Sequence, residues 1–148
     1  MRSNYVYLAT PNSQELKILN IINPNSPTLA GGFDAGSGNG KNIQLVGDKI
    51  YFSRTTDGGS GEDFQILDNT NPTITLPKFG GKDIGSSVNG TIVRDYLSFL
   101  LTATPSTGSQ LRVLRTDNPA NITLLTTLVL SPNSNDTEPS IDCEGNRL

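Results

Sequence analysis

Asp57, Ser60, Glu62 and Asp63 crowd into the glycine-rich segment TTDGGSGED, residues 55–63. Carboxylate oxygens on a glycine-rich loop are the ligands a Ca²⁺ ion takes, so Asp57, Glu62 and Asp63 form a candidate weak calcium set. Their spacing matches neither an EF-hand nor a nonapeptide calcium repeat, and a solvated connector between strands is the competing reading. SPNSNDTEP, residues 131–139, offers Asp136 and Glu138 in the same two ways. GSGNGK, residues 36–41, has the glycines of a phosphate loop but neither the Walker spacing nor the following Ser or Thr, and reads as a connector.

Other chemistries fall away on residue types alone. The chain has no histidine and one cysteine, Cys143. A zinc site of Cys and His, a Ser-His-Asp triad and a Cys-His pair are therefore all out of reach. One cysteine also forbids an intrachain disulfide, and Cys143 itself reads as a small, half-buried apolar residue. Carboxylates abound, so an acid–base pair of the glycosidase kind stays open, although no spacing selects two of them. Tyr5, Tyr7, Tyr51 and Phe52 head equivalent strands, where they would stack on a sugar or between layers of the fold. No catalytic residue is assigned and the identity of any bound ligand stays open.

These side chains must be positioned by elements that repeat. ELKILNIINPNSPTL (15–29), DFQILDNTNPTITL (63–76) and QLRVLRTDNPANITLL (110–125) place Asn-Pro at 23–24, 71–72 and 118–119. Before each pair stands apolar, polar, apolar, Leu, polar: Leu16 to Asn20, Phe64 to Asp68, Leu111 to Arg115. The alternation is that of a strand, and the added Leu gives its second face an apolar residue, so both faces need cover. Asn followed by Pro suits the first two positions of a type I turn, where the chain reverses into another apolar run. A second frame aligns RSNYVYLA (2–9), VGDKIYFS (46–53), VRDYLSFL (93–100) and EGNRL (144–148).

The two frames divide a single domain, 1–148, into units of about 4–47, 48–94 and 95–145, with the chain ending as a further strand begins. Each unit reads as four short strands: the aromatic strand, those before and after Asn-Pro, and a last one in KNIQLVG, SSVNGTIV or PSIDCEG. A four-stranded sheet recurring at about 40–50 residues is the blade of a β-propeller. The expected fold is all-β, a partial propeller of about three four-stranded blades; an immunoglobulin-like sandwich accounts for the alternation but not the repeat. Propellers close with four to eight blades, so further blades of the same protein or a second copy are expected to cover the end faces.

NYVYLAT, ELKILNIINPNSPTLAGGF and VGDKIYF resemble the repeats of LVIVD-type β-propellers, closely in the first unit and more loosely in the third. The alternation of LATPNSQELKIL with FSRTTDGGSGEDFQIL is similar to propellers of bacterial cell-surface proteins, some joined to a type IV pilin-like anchor helix. The resemblance implies an extracellular or cell-surface setting and a non-catalytic binding or display module used in adhesion, with a protein or glycan as ligand. Two other readings stand beside it: a carboxylate-dependent hydrolase or lyase on carbohydrate, and a purely structural repeat. Composition adds exclusions. Hydrophobic residues make up 34% and charged residues 17%, with a net charge of −3 and no basic cluster to meet a phosphate backbone. No 18-residue apolar segment is available for membrane insertion, and MRSNYVYLAT lacks the layout of a signal peptide.

Overall fold

The computed structural model describes residues 4–11, 14–36, 38–55, 61–104, 108–131 and 141–144. Among the described residues eleven strands follow one another: β1 (Tyr5–Ala9), β2 (Leu16–Asn20), β3 (Thr28–Phe33), β4 (Gly40–Val46), β5 (Lys49–Arg54), β6 (Phe64–Asp68), β7 (Lys78–Lys82), β8 (Ser87–Arg94), β9 (Leu97–Thr104), β10 (Gly108–Arg115) and β11 (Thr123–Ser131). Among the described residues the only helical element is a single 3-10 turn, Pro119–Asn121. The strands form three antiparallel sheets in which sequence neighbours pair: β1-β2-β3, β4-β5-β6-β7 and β8-β9-β10-β11. The fold is therefore all-β, with three antiparallel sheets built from consecutive strands.

The sheets do not share boundaries with the sequence units. KNIQLVG and SSVNGTIV, read as the last strands of their units, instead open the next sheets as β4 and β8. The cause is the tightness of the hairpins: Val46 pairs with Lys49 and Arg94 with Leu97, which leaves two residues for each turn and forces the flanking strands together. The first turn residue is left-handed in both, Gly47 at φ 57° and Asp95 at φ 54°. Lys49 pairs with Asp68 and Leu97 with Arg115, so Asp95 corresponds to Gly47 and not to Asp48. The sequence frame that set Asp48 against Asp95 is one residue out, because either Gly or Asp can supply the conformation this turn demands.

The middle sheet is covered on both faces, as its alternation with an extra Leu requires. Ile50, Phe52 and Leu67 pack with Leu16 and Ile18 of the first sheet, and all five are fully buried. Tyr51, Phe64 and Ile66 pack on the other side with Val88, Val93, Leu100 and Leu114 of the third. Aromatic contacts run through both layers, Phe33 edge-on to Phe52 at 6.5 Å and Tyr51 tilted on Phe64 at 6.3 Å. The aromatics at the strand heads thus lie between sheets, with Tyr5 and Tyr7 half-buried against the first layer.

The three Asn-Pro turns share one local design. In each, the Asn side-chain oxygen accepts from the backbone N–H two residues on: Asn25 to Asn23 at 3.2 Å, Thr73 to Asn71 at 3.0 Å and Ala120 to Asn118 at 3.2 Å. Two also close i to i+3, Ser26 N to Asn23 O at 3.0 Å and Asn121 N to Asn118 O at 2.9 Å. The 3-10 turn at Pro119 is this same reversal. Each later turn seats on the outer strand of the preceding sheet at a glycine. A Cβ at Gly31 would strike Pro72 O, and one at Gly80 would strike Pro119 O. Beside the first seat the backbones join, Leu76 N donating to Gly32 O at 2.9 Å.

Candidate functional site

Of the loop carboxylates that the sequence offers as ligands, Asp57 lies outside the described residues with the rest of 56–60, as do Asp136 and Glu138. Glu62 makes an ion pair with Lys78 Nζ at 2.7 Å. Asp63 is 1% exposed at the head of β6, and its Oδ2 accepts from the backbone N–H groups of Ile84 and Gly85, both at 3.0 Å. The connection from β7 to β8 is thereby tied to the strand next to it. Burial pushes the Asp63 carboxyl above its ordinary range, Asp83 adds to this, and the two N–H donors and Arg54 oppose it.

Two arginines complete the arrangement, and neither stood out in the sequence. Arg54, at the end of β5 and 2% exposed, donates from Nε to Glu62 O at 2.8 Å. Arg112 reaches over from β10 of the third sheet. Its guanidinium donates to Ile84 O, to Ser86 Oγ at 3.2 Å and to Gln110 Oε1 at 3.2 Å. Burial lowers the pKa of Arg112, and the Asp63 charge resists that shift. The loop 83–86 is therefore held from below by a carboxylate of its own sheet and from the side by a guanidinium of the next.

The same lock recurs one sheet earlier. Glu15, 2% exposed and directly before β2 as Asp63 is before β6, accepts from Ala35 N at 2.7 Å. It ties down the connection from β3 to β4, where Gly36 and Gly38 have positive φ and Asn39 N donates to Thr55 Oγ1 at 2.8 Å; the last two residues of GSGNGK, Gly40 and Lys41, already belong to β4. The signal that could have found this lock was an acid immediately before the strand in two of the three repeats. Gln110 takes the place in the third. Cys143, expected to be half-buried, is exposed. Its neighbours in sequence are Asp142 and Glu144, and no described layer covers that face.

A cavity of about 420 Å³ opens between β1 and β4, lined by Val6, Tyr7, Ile43, Gln44 and Leu45. Tyr7 donates its hydroxyl to Asn69 Oδ1 at 3.0 Å. Gln44 joins β4 to β8, accepting from Val93 N at 2.6 Å and donating to Val93 O at 3.5 Å. Its lining is mixed, with aliphatic side chains beside polar surface that includes one amide and one phenol, a surface suited to holding a small group with both apolar and hydrogen-bonding parts. Among the described residues no group of three or more His, Cys, Asp or Glu gathers as a metal set. With Glu62 and Asp63 both engaged, Ca²⁺ must compete with an ion pair and a loop lock. Calorimetry at millimolar Ca²⁺ is expected to show weak binding; no heat at that concentration, or a Tm unchanged by chelator, would remove the ion from the account.

No family model, curated protein or solved structure matches this chain.

Proposed function

We propose that the chain is a non-catalytic binding or display module of a bacterial cell surface, three blades of a β-propeller used in adhesion or attachment. The observation that carries this reading is the use made of the charged groups. Glu15, Asp63, Arg54 and Arg112 hold connections between strands, while the cavity between β1 and β4 has a mixed lining of aliphatic side chains, one amide and one phenol, with no charged side chain among Val6, Tyr7, Ile43, Gln44 and Leu45. The blade reading draws support from sheets of consecutive strands packed face to face with matching turns. The extracellular setting rests on the likeness of the repeats to surface propellers.

Glycan and surface-protein arrays test the proposal. A saturable ligand, weakened by Tyr7→Ala or Gln44→Ala at the cavity, is the expected result. Turnover of a polysaccharide would instead favour the carboxylate-dependent hydrolase or lyase. Silence in both assays would leave the structural repeat.

A further inference from the structure

The outer edge of the third sheet differs from those of the other two. Opposite Ile18 and Ile66, strands β3 and β7 carry Gly31 and Gly80, where the next sheet's turn is seated. Opposite Val113, β11 carries Thr126, followed by Thr127. A side chain there blocks the same seating, so β11 is not shaped to receive another sheet as its counterparts do. Two bulges interrupt it, but it lacks the charge, the proline and the shortness that otherwise blunt an edge. β7 is five residues long with a lysine at each end, whereas β11 runs for nine residues with no charge, proline or glycine. Leu124, Leu125, Leu128, Val129 and Leu130 stand between 47% and 57% exposed.

The strand is also complementary to itself. Laid antiparallel on a copy about Thr127, it sets Thr123 against Ser131, Leu124 against Leu130, Leu125 against Val129 and Thr126 against Leu128. Hydroxyl thus meets hydroxyl at the ends and at Thr127, aliphatic meets aliphatic in two pairs on each side, and only Thr126 against Leu128 is mixed, with no like charges opposed. Antiparallel pairing of identical strands generates a two-fold axis, which closes the assembly at two copies. The irregularities of register against β10 fall at Leu125 and Leu130, leaving Thr126 to Val129 regular at the centre.

We propose that β11 pairs antiparallel with β11 of a second copy about a two-fold axis at Thr127, joining two third sheets into one of eight strands. Pairing the two edges buries their outer backbone and the flanks of the five aliphatic side chains in both copies, at most about 1,000 Å², the small end of what a specific interface needs.

Light scattering during size exclusion is expected to give the unaltered chain a mass twice 15.8 kDa. Thr127 is exposed, so Thr127→Lys leaves each copy folded by circular dichroism while it sets two ammonium groups against each other across the axis. Its mass is expected to halve. Thr127→Cys in a Cys143→Ser background is expected to oxidise to a disulfide-linked pair, since residues facing across antiparallel strands lie close to disulfide distance. An unaltered chain that stays monomeric, a dimer that survives Thr127→Lys, a Thr127→Cys chain that fails to cross-link, or open-ended assemblies would each overturn the proposal.

Discussion

Replacing Gly80 with alanine is expected to destabilise the fold by about 3 kcal/mol or more, lowering Tm by on the order of 10 °C. The added methyl meets the backbone oxygen of Pro119, and the backbone nitrogen of Ala120 lies behind it. Backbone atoms cannot rotate aside as a side chain would, so either β7 lifts from the turn or the third sheet moves away from the second. Both responses open the layer that holds Tyr51, Phe64, Ile66 and Leu114. The control is the matching position of the third sheet, where Thr126→Ala is expected to change monomer stability by less than about 0.5 kcal/mol, because Thr126 is exposed and no turn seats on it. Urea unfolding monitored by tyrosine fluorescence reads both. A Gly80→Ala protein as stable as the parent would mean that the seating of the Asn118-Pro119 turn is not what joins these sheets.

Asp63→Ala is expected to cost about 3 kcal/mol or more, since it strips a buried acceptor from two N–H groups and a counter-charge from two arginines. The N–H groups of Ile84 and Gly85 lose their shared partner, and Arg54 and Arg112 lose the carboxylate beside them. Asp63→Asn keeps an oxygen for the loop and is expected to cost less. The two substitutions also separate in pH. Burial raises the folded pKa of Asp63 above the ordinary 3.8, so the folded state binds this proton more tightly than the unfolded chain does. The stability that this group contributes is fully present below the unfolded value and is lost as pH rises through the folded one. The stability difference between the parent and Asp63→Asn should therefore shift in favour of Asn as pH rises across that window and stay flat above it. A difference that is constant from pH 3 to pH 7 would show that the carboxyl is not perturbed by its burial.

Local features were legible because they need only neighbouring residues. Asn followed by Pro specifies a reversal through the Asn side chain and the fixed φ of Pro, and all three pairs reverse the chain. Alternation at Leu16 to Ile18, Phe64 to Ile66 and Leu111 to Val113 specifies strands, and the Leu that follows announces a second buried face, which Leu67 and Leu114 fill. Asp57, Glu62 and Asp63 look alike in the sequence, as three carboxylates on one loop. Only the fold separates Asp63, committed to backbone 21 and 22 residues away, from Glu62, paired with Lys78 at the surface.

What the sequence determined by itself is the set of strands and turns, because backbone preference and side-chain alternation act within a few residues. Which strands share a sheet, which glycine receives a turn, and that Arg112 of β10 holds a loop leading into β8 were decided by the tertiary structure. Their partners lie tens of residues apart and meet only once apolar faces have packed. Burial and the need to pair every buried polar group choose among arrangements that local preference leaves equal.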